Sequence, residues 1–214
     1  MNQPAAAVAD PLAAARTARA AGAAETALAQ YRAALAADPA AAGVHAELGD
    51  WLLERGDAPA AAQSLALAAA WSGAVEDYHR LGLALRAAGQ ECAARRAFER
   101  ALELDPDATG VLNNLAQLLY ETDEVPAARA CWQRALALDP GYARARFNLA
   151  FLELGCGELA TGWALYEARH AVYGVDYENL GMTRWDGAPL ADARKFSGSR
   201  CLPHATQWMC CSPC

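Results

Sequence analysis

An all-α fold of stacked antiparallel helix pairs follows from three observations: alanine carries most of the apolar content, the chain is self-similar with a period of about 34 residues, and turn residues recur at fixed places within that period. Of the 214 residues, 55% are hydrophobic but only 8% aromatic. Alanine is the strongest helix former and small enough to let helices approach closely. The period shows first in Asp105-Pro106 and Asp139-Pro140, which stand one repeat apart, and in Asp38-Pro39 further back, with Ser72 and Gly73 at the halfway point. Proline disfavours a helical residue before it and cannot supply the amide that a continuing helix needs, so these pairs end the second helix of each unit.

Four columns then place the elements in order. Gly22, Gly56, Gly89, Asp123 and Gly157 separate the two helices of each pair, where a left-handed residue ends the first helix cheaply and aspartate is among the residues that tolerate that conformation. In the second helices, Ala27, Ala61, Ala94, Ala128 and Gly162 are small. Four residues on, Tyr31, Leu65, Phe98, Trp132 and Tyr166 are large and fill the space beside the small column. The fourth column reads Ala34, Ala68, Ala101, Ala135 and then Arg169. The first helix of the first unit is mostly alanine and is the weakest match to the pattern.

Tyr78, Leu81, Gly82, Gly89, Ala94, Phe98, Ala101 and Pro106 resemble the tetratricopeptide repeat nearly column for column. Leu112, Leu115, Ala116, Ala128, Trp132, Ala135 and Pro140 repeat the match, as do Leu48, Gly49, Leu52, Gly56, Ala61 and Ala68. The resemblance implies a right-handed superhelix, an α-solenoid of about five helix-turn-helix repeats. The expected organisation is an N-terminal tail over 1–7, five repeats over 8–171, a capping and linker segment over 172–194, and a disordered, cysteine-rich tail over 195–214. Tyr173, Tyr177 and Trp185 are expected to cap the last helix, since a terminal repeat otherwise exposes its apolar face.

A second resemblance covers Phe147 to Leu190. Phe147, Asn148, Leu149 and Ala150, then Gly162, Trp163, Ala164, Leu165 and Tyr166, and finally Arg184, Trp185, Asp186, Gly187, Ala188, Pro189 and Leu190 resemble the junction at which bacterial tetratricopeptide proteins enter a glycosyltransferase-like domain related to O-linked glycosyl transferases. In that family a strand and a glycine-rich loop follow, and neither is present here. From Lys195 onward the composition changes abruptly: four cysteines, the only lysine and no carboxylate side chain occupy the last twenty residues. A truncated or out-of-frame end is one explanation, which would make this chain the substrate-recruiting half of such an enzyme.

Composition narrows the function classes. A net charge of −7 works against a polyanionic partner, so no nucleic acid is expected. No stretch approaches the roughly 20 large apolar residues of a membrane span, and the first dozen residues lack the pattern of a secretory signal, which points to a cytoplasmic protein. His45, His79 and His170 fall on different repeats, no Gly-x-Ser-x-Gly elbow occurs, and the carboxylates are spread over helix faces, so no catalytic residue and no cofactor are expected. Cys201, His204, Cys210, Cys211 and Cys214 have spacings that can suit zinc but lack a folded frame between them, so no metal is assigned. Cys92, Cys131 and Cys156 read as buried thiols, and Trp51, Trp71, Trp132 and Trp163 as core or inter-repeat packing.

What remains is a non-catalytic module that binds a protein or peptide partner in the concave groove. The helical period puts Glu76, His79, Leu83 and Arg86, then Asn113, Asn114, Gln117 and Tyr120, then Arg144, Asn148 and Phe151 on that face. The candidate peptide-binding residues are His79, Arg86, Asn113, Asn114, Gln117, Tyr120, Arg144 and Asn148. Asn114 and Asn148, one repeat apart, stack in register and resemble two rungs of the asparagine ladder of O-linked glycosyl transferase repeats; Arg80 and Glu47 hold the corresponding earlier places. Their amides could hold a peptide backbone, or could be merely solvated.

Overall fold

The computed structural model describes residues 10–174. Eleven helices follow one another, with no strand among the described residues: α1 Pro11–Ala20, α2 Ala24–Ala37, α3 Ala42–Glu54, α4 Ala58–Ser72, α5 Val75–Ala87, α6 Glu91–Leu104, α7 Thr109–Glu121, α8 Val125–Leu138, α9 Ala143–Gly155, α10 Leu159–Tyr166 and α11 Arg169–Tyr173. Helices α1 to α10 pack as five successive pairs, and each pair packs against the next, which is an all-α solenoid.

The expected inner turns carry the expected conformation. Gly22, Gly56, Gly89, Asp123 and Gly157 all have φ between +65° and +85°, so the one non-glycine of the column adopts the same left-handed turn. At the outer turns Asp38, Asp105 and Asp139 are extended C-caps. Their carboxylates do more than precede proline, because each accepts an amide two residues on, from Ala40, Asp107 and Gly141 at 2.8 to 3.0 Å. Ser72 takes the same part between α4 and α5, where Ala74 donates to its hydroxyl at 3.0 Å and Gly73 supplies a left-handed φ of +64°.

The core follows the columns. Ala27, Ala61, Ala94 and Ala128 are wholly buried, and Tyr31, Leu65, Phe98 and Trp132 fill the adjoining space with at most 2% exposure. A buried cluster running through α6 to α9 unites the third, fourth and fifth pairs, while Ala15, Ala27, Tyr31, Val44, Leu48 and Trp51 form a separate one at the N-terminal end.

Two expectations need correction. Trp51 and Trp132 are buried, but Trp71 and Trp163 are each 58% exposed and are not core residues. Cys92 and Cys156 are exposed, because the first lies in the opening turn of α6 and the second caps α9; only Cys131 is half-buried, and burial pushes its thiol pKa up. The fifth pair also departs from a regular second helix. α10 stops at Tyr166, and a further short helix ends at Gly174 with φ +64°. Arg169 stands where the other repeats have alanine, and its guanidinium donates to the Tyr166 carbonyl at 3.3 Å, satisfying one of the groups a helix end leaves open. The expected caps Tyr177 and Trp185, and the tail with its cysteines and His204, lie outside the described residues.

Candidate functional site

The first helices of successive pairs, α3, α5, α7 and α9, touch one another and form one layer. Side chains at equivalent places on this layer therefore stand one repeat apart, and the face divides into two chemically different halves.

Over the first three pairs the face is closed by ion pairs. Arg16 on α1 is bound to Glu47 on α3, and Arg19 to Glu54 at 2.6 Å. Arg80 on α5 reaches Asp50 at 3.6 Å, Glu76 at 3.2 Å and Asp77 at 3.7 Å. The Arg16 guanidinium, donating to the Glu47 carboxylate, holds the latter below its ordinary pKa. Burial pushes Asp50 the other way, against the pull of Arg80. Exposed pairs of this sort contribute little to stability, but they leave few free charges for a ligand.

From α5 to α9 amides replace the ions. Trp132 Nε1 on α8 donates to Asn113 Oδ1 at 3.1 Å, and Asn148 Nδ2 on α9 donates to the same oxygen at 3.0 Å. Asn113 Nδ2 approaches Asn114 Oδ1 at 3.4 Å, and Asn114 Nδ2 sits 2.7 Å from His79 Nε2, a pairing that asks that ring nitrogen to be unprotonated. Gly110, one turn earlier on α7, faces His79, and a Cβ there would make an ordinary contact with the imidazole at 3.7 Å.

This geometry corrects one candidate. Asn113 is 1% exposed and belongs to the core, since its carbonyl oxygen is the acceptor for a buried indole. It does not face the groove. His79, Asn114, Gln117 and Asn148 are half-buried on the layer, Tyr120 and Arg144 are exposed, and Arg86 is half-buried in the last turn of α5. Gln117 donates to Glu121 at 3.1 Å. Asn114 and Asn148 are not bonded to each other. Each instead reaches back to the preceding first helix, and each keeps a second amide hydrogen for another acceptor.

Beside the amides stands an aromatic cluster of which the periodicity placed only Tyr166 and Phe151. Phe147 on α9 lies edge-on to Phe151 at 4.8 Å and to Tyr173 at 5.4 Å, and stacked on Tyr166 at 5.7 Å; Trp163 meets Tyr166 edge-on at 5.6 Å. The Arg169 guanidinium lies 4.9 Å from the Tyr166 ring. Phe151, Trp163 and Tyr173 are about half exposed or more. A concentration of rings after Tyr142, in a chain poor in them, was the available signal.

Among the described residues there is no group of three or more His, Cys, Asp or Glu that could hold a metal, and no helix long and apolar enough to cross a membrane.

Residues 78–108 and 110–142 match models of the tetratricopeptide repeat. Among solved structures, MamA superposes with a TM-score of 0.66 at 22% identity, over 72% of this chain and 91% of that one. PilF of Pseudomonas aeruginosa gives 0.63 at 24%, over 80% and 78%. YrrB, whose structure is described as a TPR protein with an unusual peptide-binding site, gives 0.62 at 19%, over 80% and 89%. No curated protein matches.

Proposed function

We propose that this chain, which carries tetratricopeptide repeats on an all-α solenoid, is a non-catalytic interaction module that holds an extended segment of a protein partner against its first-helix face. The observation that carries this reading is the change in chemistry along that face. Its N-terminal half is occupied by its own ion pairs, whereas α7 and α9 present half-exposed amides with unused donors beside exposed Tyr120 and Phe151. Amides of this kind can bond an extended backbone whatever its side chains, and the rings supply apolar area at low entropic cost. The peptide-binding site named for YrrB is a property of that protein and is taken here only as a precedent on a similar fold.

The alternative, a substrate-recruiting half of a glycosyltransferase-like enzyme, rests on the resemblance over Phe147 to Leu190, and the part of it beyond Gly174 lies outside the described residues. Nothing in the geometry favours it over the simpler module.

The test is to pan a random peptide library on the full chain and measure the recovered peptides by fluorescence polarisation against the parent and an Asn114→Ala/Asn148→Ala variant. A net hydrogen bond contributes about 0.5–1.5 kcal/mol, so the pair of substitutions should weaken binding from several-fold to about a hundredfold with unchanged helical content. Equal affinity for parent and variant would move recognition off this face.

A further inference from the structure

We infer that the partner segment carries an aspartate or glutamate side chain, and that Arg86 is its subsite, an assignment that rests on the first-helix face being the binding surface. The arginines in the N-terminal half of this face are matched to acids: Arg16 to Glu47, Arg19 to Glu54, and Arg80 to Glu76, Asp50 and Asp77. Arg86 breaks the pattern. Its Nη1 is buried without a hydrogen-bond partner, and among the described residues no carboxylate lies within ion-pair reach of it. The acids in the last turns of the neighbouring first helices are committed, Glu54 to Arg19 and Glu121 to Gln117.

A guanidinium keeps its charge at any physiological pH, and Arg86 is only half-buried, so its charge is open to an anion that the described residues do not supply. Its planar fork fits the two oxygens of a carboxylate. The surroundings narrow the occupant further. Leu83 lies one turn back on α5, and Tyr120 holds the equivalent place on α7 with 43% exposure, so an apolar residue beside the acid would be covered. Arg144 on α9 is exposed and has no ion pair among the described residues, adding charge of the same sign. Arg86 sits on the third of five pairs, with the face continuing to both sides, so a segment lying across it presents an internal side chain and not a chain end.

The experiment uses the same library displayed with a blocked C-terminus, panned on the full chain, and the recovered peptides synthesised as C-terminal amides. Recovered sequences should carry Asp or Glu next to an aromatic or aliphatic residue. Changing that acid to its amide should weaken binding about tenfold to a hundredfold, as should Arg86→Gln; combining the two should cost little more than either alone. Arg86→Lys should retain part of the affinity, and Arg32→Gln, an exposed arginine on α2, should change nothing. If the acid or Arg86 proves dispensable while Asn114→Ala/Asn148→Ala still weakens binding, the carboxylate subsite is wrong and the groove stands. Each recovered peptide is also made with its internal acid changed to the amide and its C-terminus left as a free carboxylate; if that version binds as tightly as the original, the side-chain assignment is overturned. If no recovered peptide responds to any of these substitutions, or none is recovered, both the subsite and the groove reading fall.

Discussion

Replacing Asn113 by alanine separates a core role from a groove role at one position. In the folded chain Asn113 is 1% exposed, and its Oδ1 accepts from Trp132 Nε1 at 3.1 Å and from Asn148 Nδ2 at 3.0 Å. Asn148 is half-buried and can turn to water, but Trp132, at 2% exposure, cannot. Leaving a buried donor unpaired costs about 1–3 kcal/mol. The small gain in helix propensity from alanine, roughly 0.5 kcal/mol, offsets little of this. A net destabilisation of about 2 kcal/mol is expected, read as a lower urea midpoint by far-ultraviolet circular dichroism with the slope unchanged. The loss should register in the main transition, because the buried cluster around Trp132 extends across α6 to α9. In a cycle with Trp132→Phe, which removes the donor itself, the two losses should be less than additive by about 1 kcal/mol. Peptide affinity corrected for the folded fraction should not change. A variant with the urea midpoint of the parent, or one that loses binding with stability intact, would refute the core assignment.

Two further substitutions test the packing and the charges. Gly82→Ala should destabilise by about 1–3 kcal/mol, since the new Cβ would lie 2.4 Å from Phe98 Cε1 in a wholly buried ring, whereas Gly155→Ala, with nothing within 4 Å, should be neutral or up to about 1 kcal/mol stabilising; thermal melts of the two compared with the parent decide it. Asp50→Asn should raise the melting temperature at neutral pH: burial lifts the folded-state pKa of Asp50 above its unfolded value, so the group favours folding at low pH and that contribution is lost as pH rises through the folded pKa. The advantage of the variant should therefore shrink on acidification through the carboxylate range, and an advantage that grows there would contradict the burial argument.

The solenoid was legible because its signals are local and repeated. A left-handed turn needs glycine or a tolerant residue such as Asp123, and a small residue four places before a large one marks a helix contact in every repeat where it occurs. The site was legible only in outline. Helical period places Asn113 and Asn114 next to each other on the edge of the layer, and a rotation of one residue decides which is core; the indole of Trp132, nineteen positions on, settles it, and no pattern within one helix contains that information. The fifth pair shows the same limit. Arg169 in the alanine column was visible, but the end of α10 at Tyr166 and the guanidinium's bond to the Tyr166 carbonyl depend on what the side chain does once folded. The aromatic cluster draws its rings from three helices, and although Tyr166 belongs to the large-residue column, Trp163 and Tyr173 follow no repeat period.

One column ties these observations to function. Glu47, Arg80, Asn114 and Asn148 hold equivalent places on successive first helices, and each reaches back to the helix before: to Arg16, Asp50, His79 and Asn113. The residues best placed to grip a ligand are thus also those that link neighbouring repeats. In the N-terminal half the links are between full charges, and a ligand that broke one would leave its partner unpaired. In the C-terminal half they are neutral, each worth about 1 kcal/mol net, and each amide has a donor to spare. A peptide backbone can therefore add to these bonds without first breaking them. The same inequality leaves Arg86, at the border between the two halves, and Arg144 beyond it without an acid among the described residues: on the N-terminal side the acids are already paired with other arginines, and on the C-terminal side the column has none.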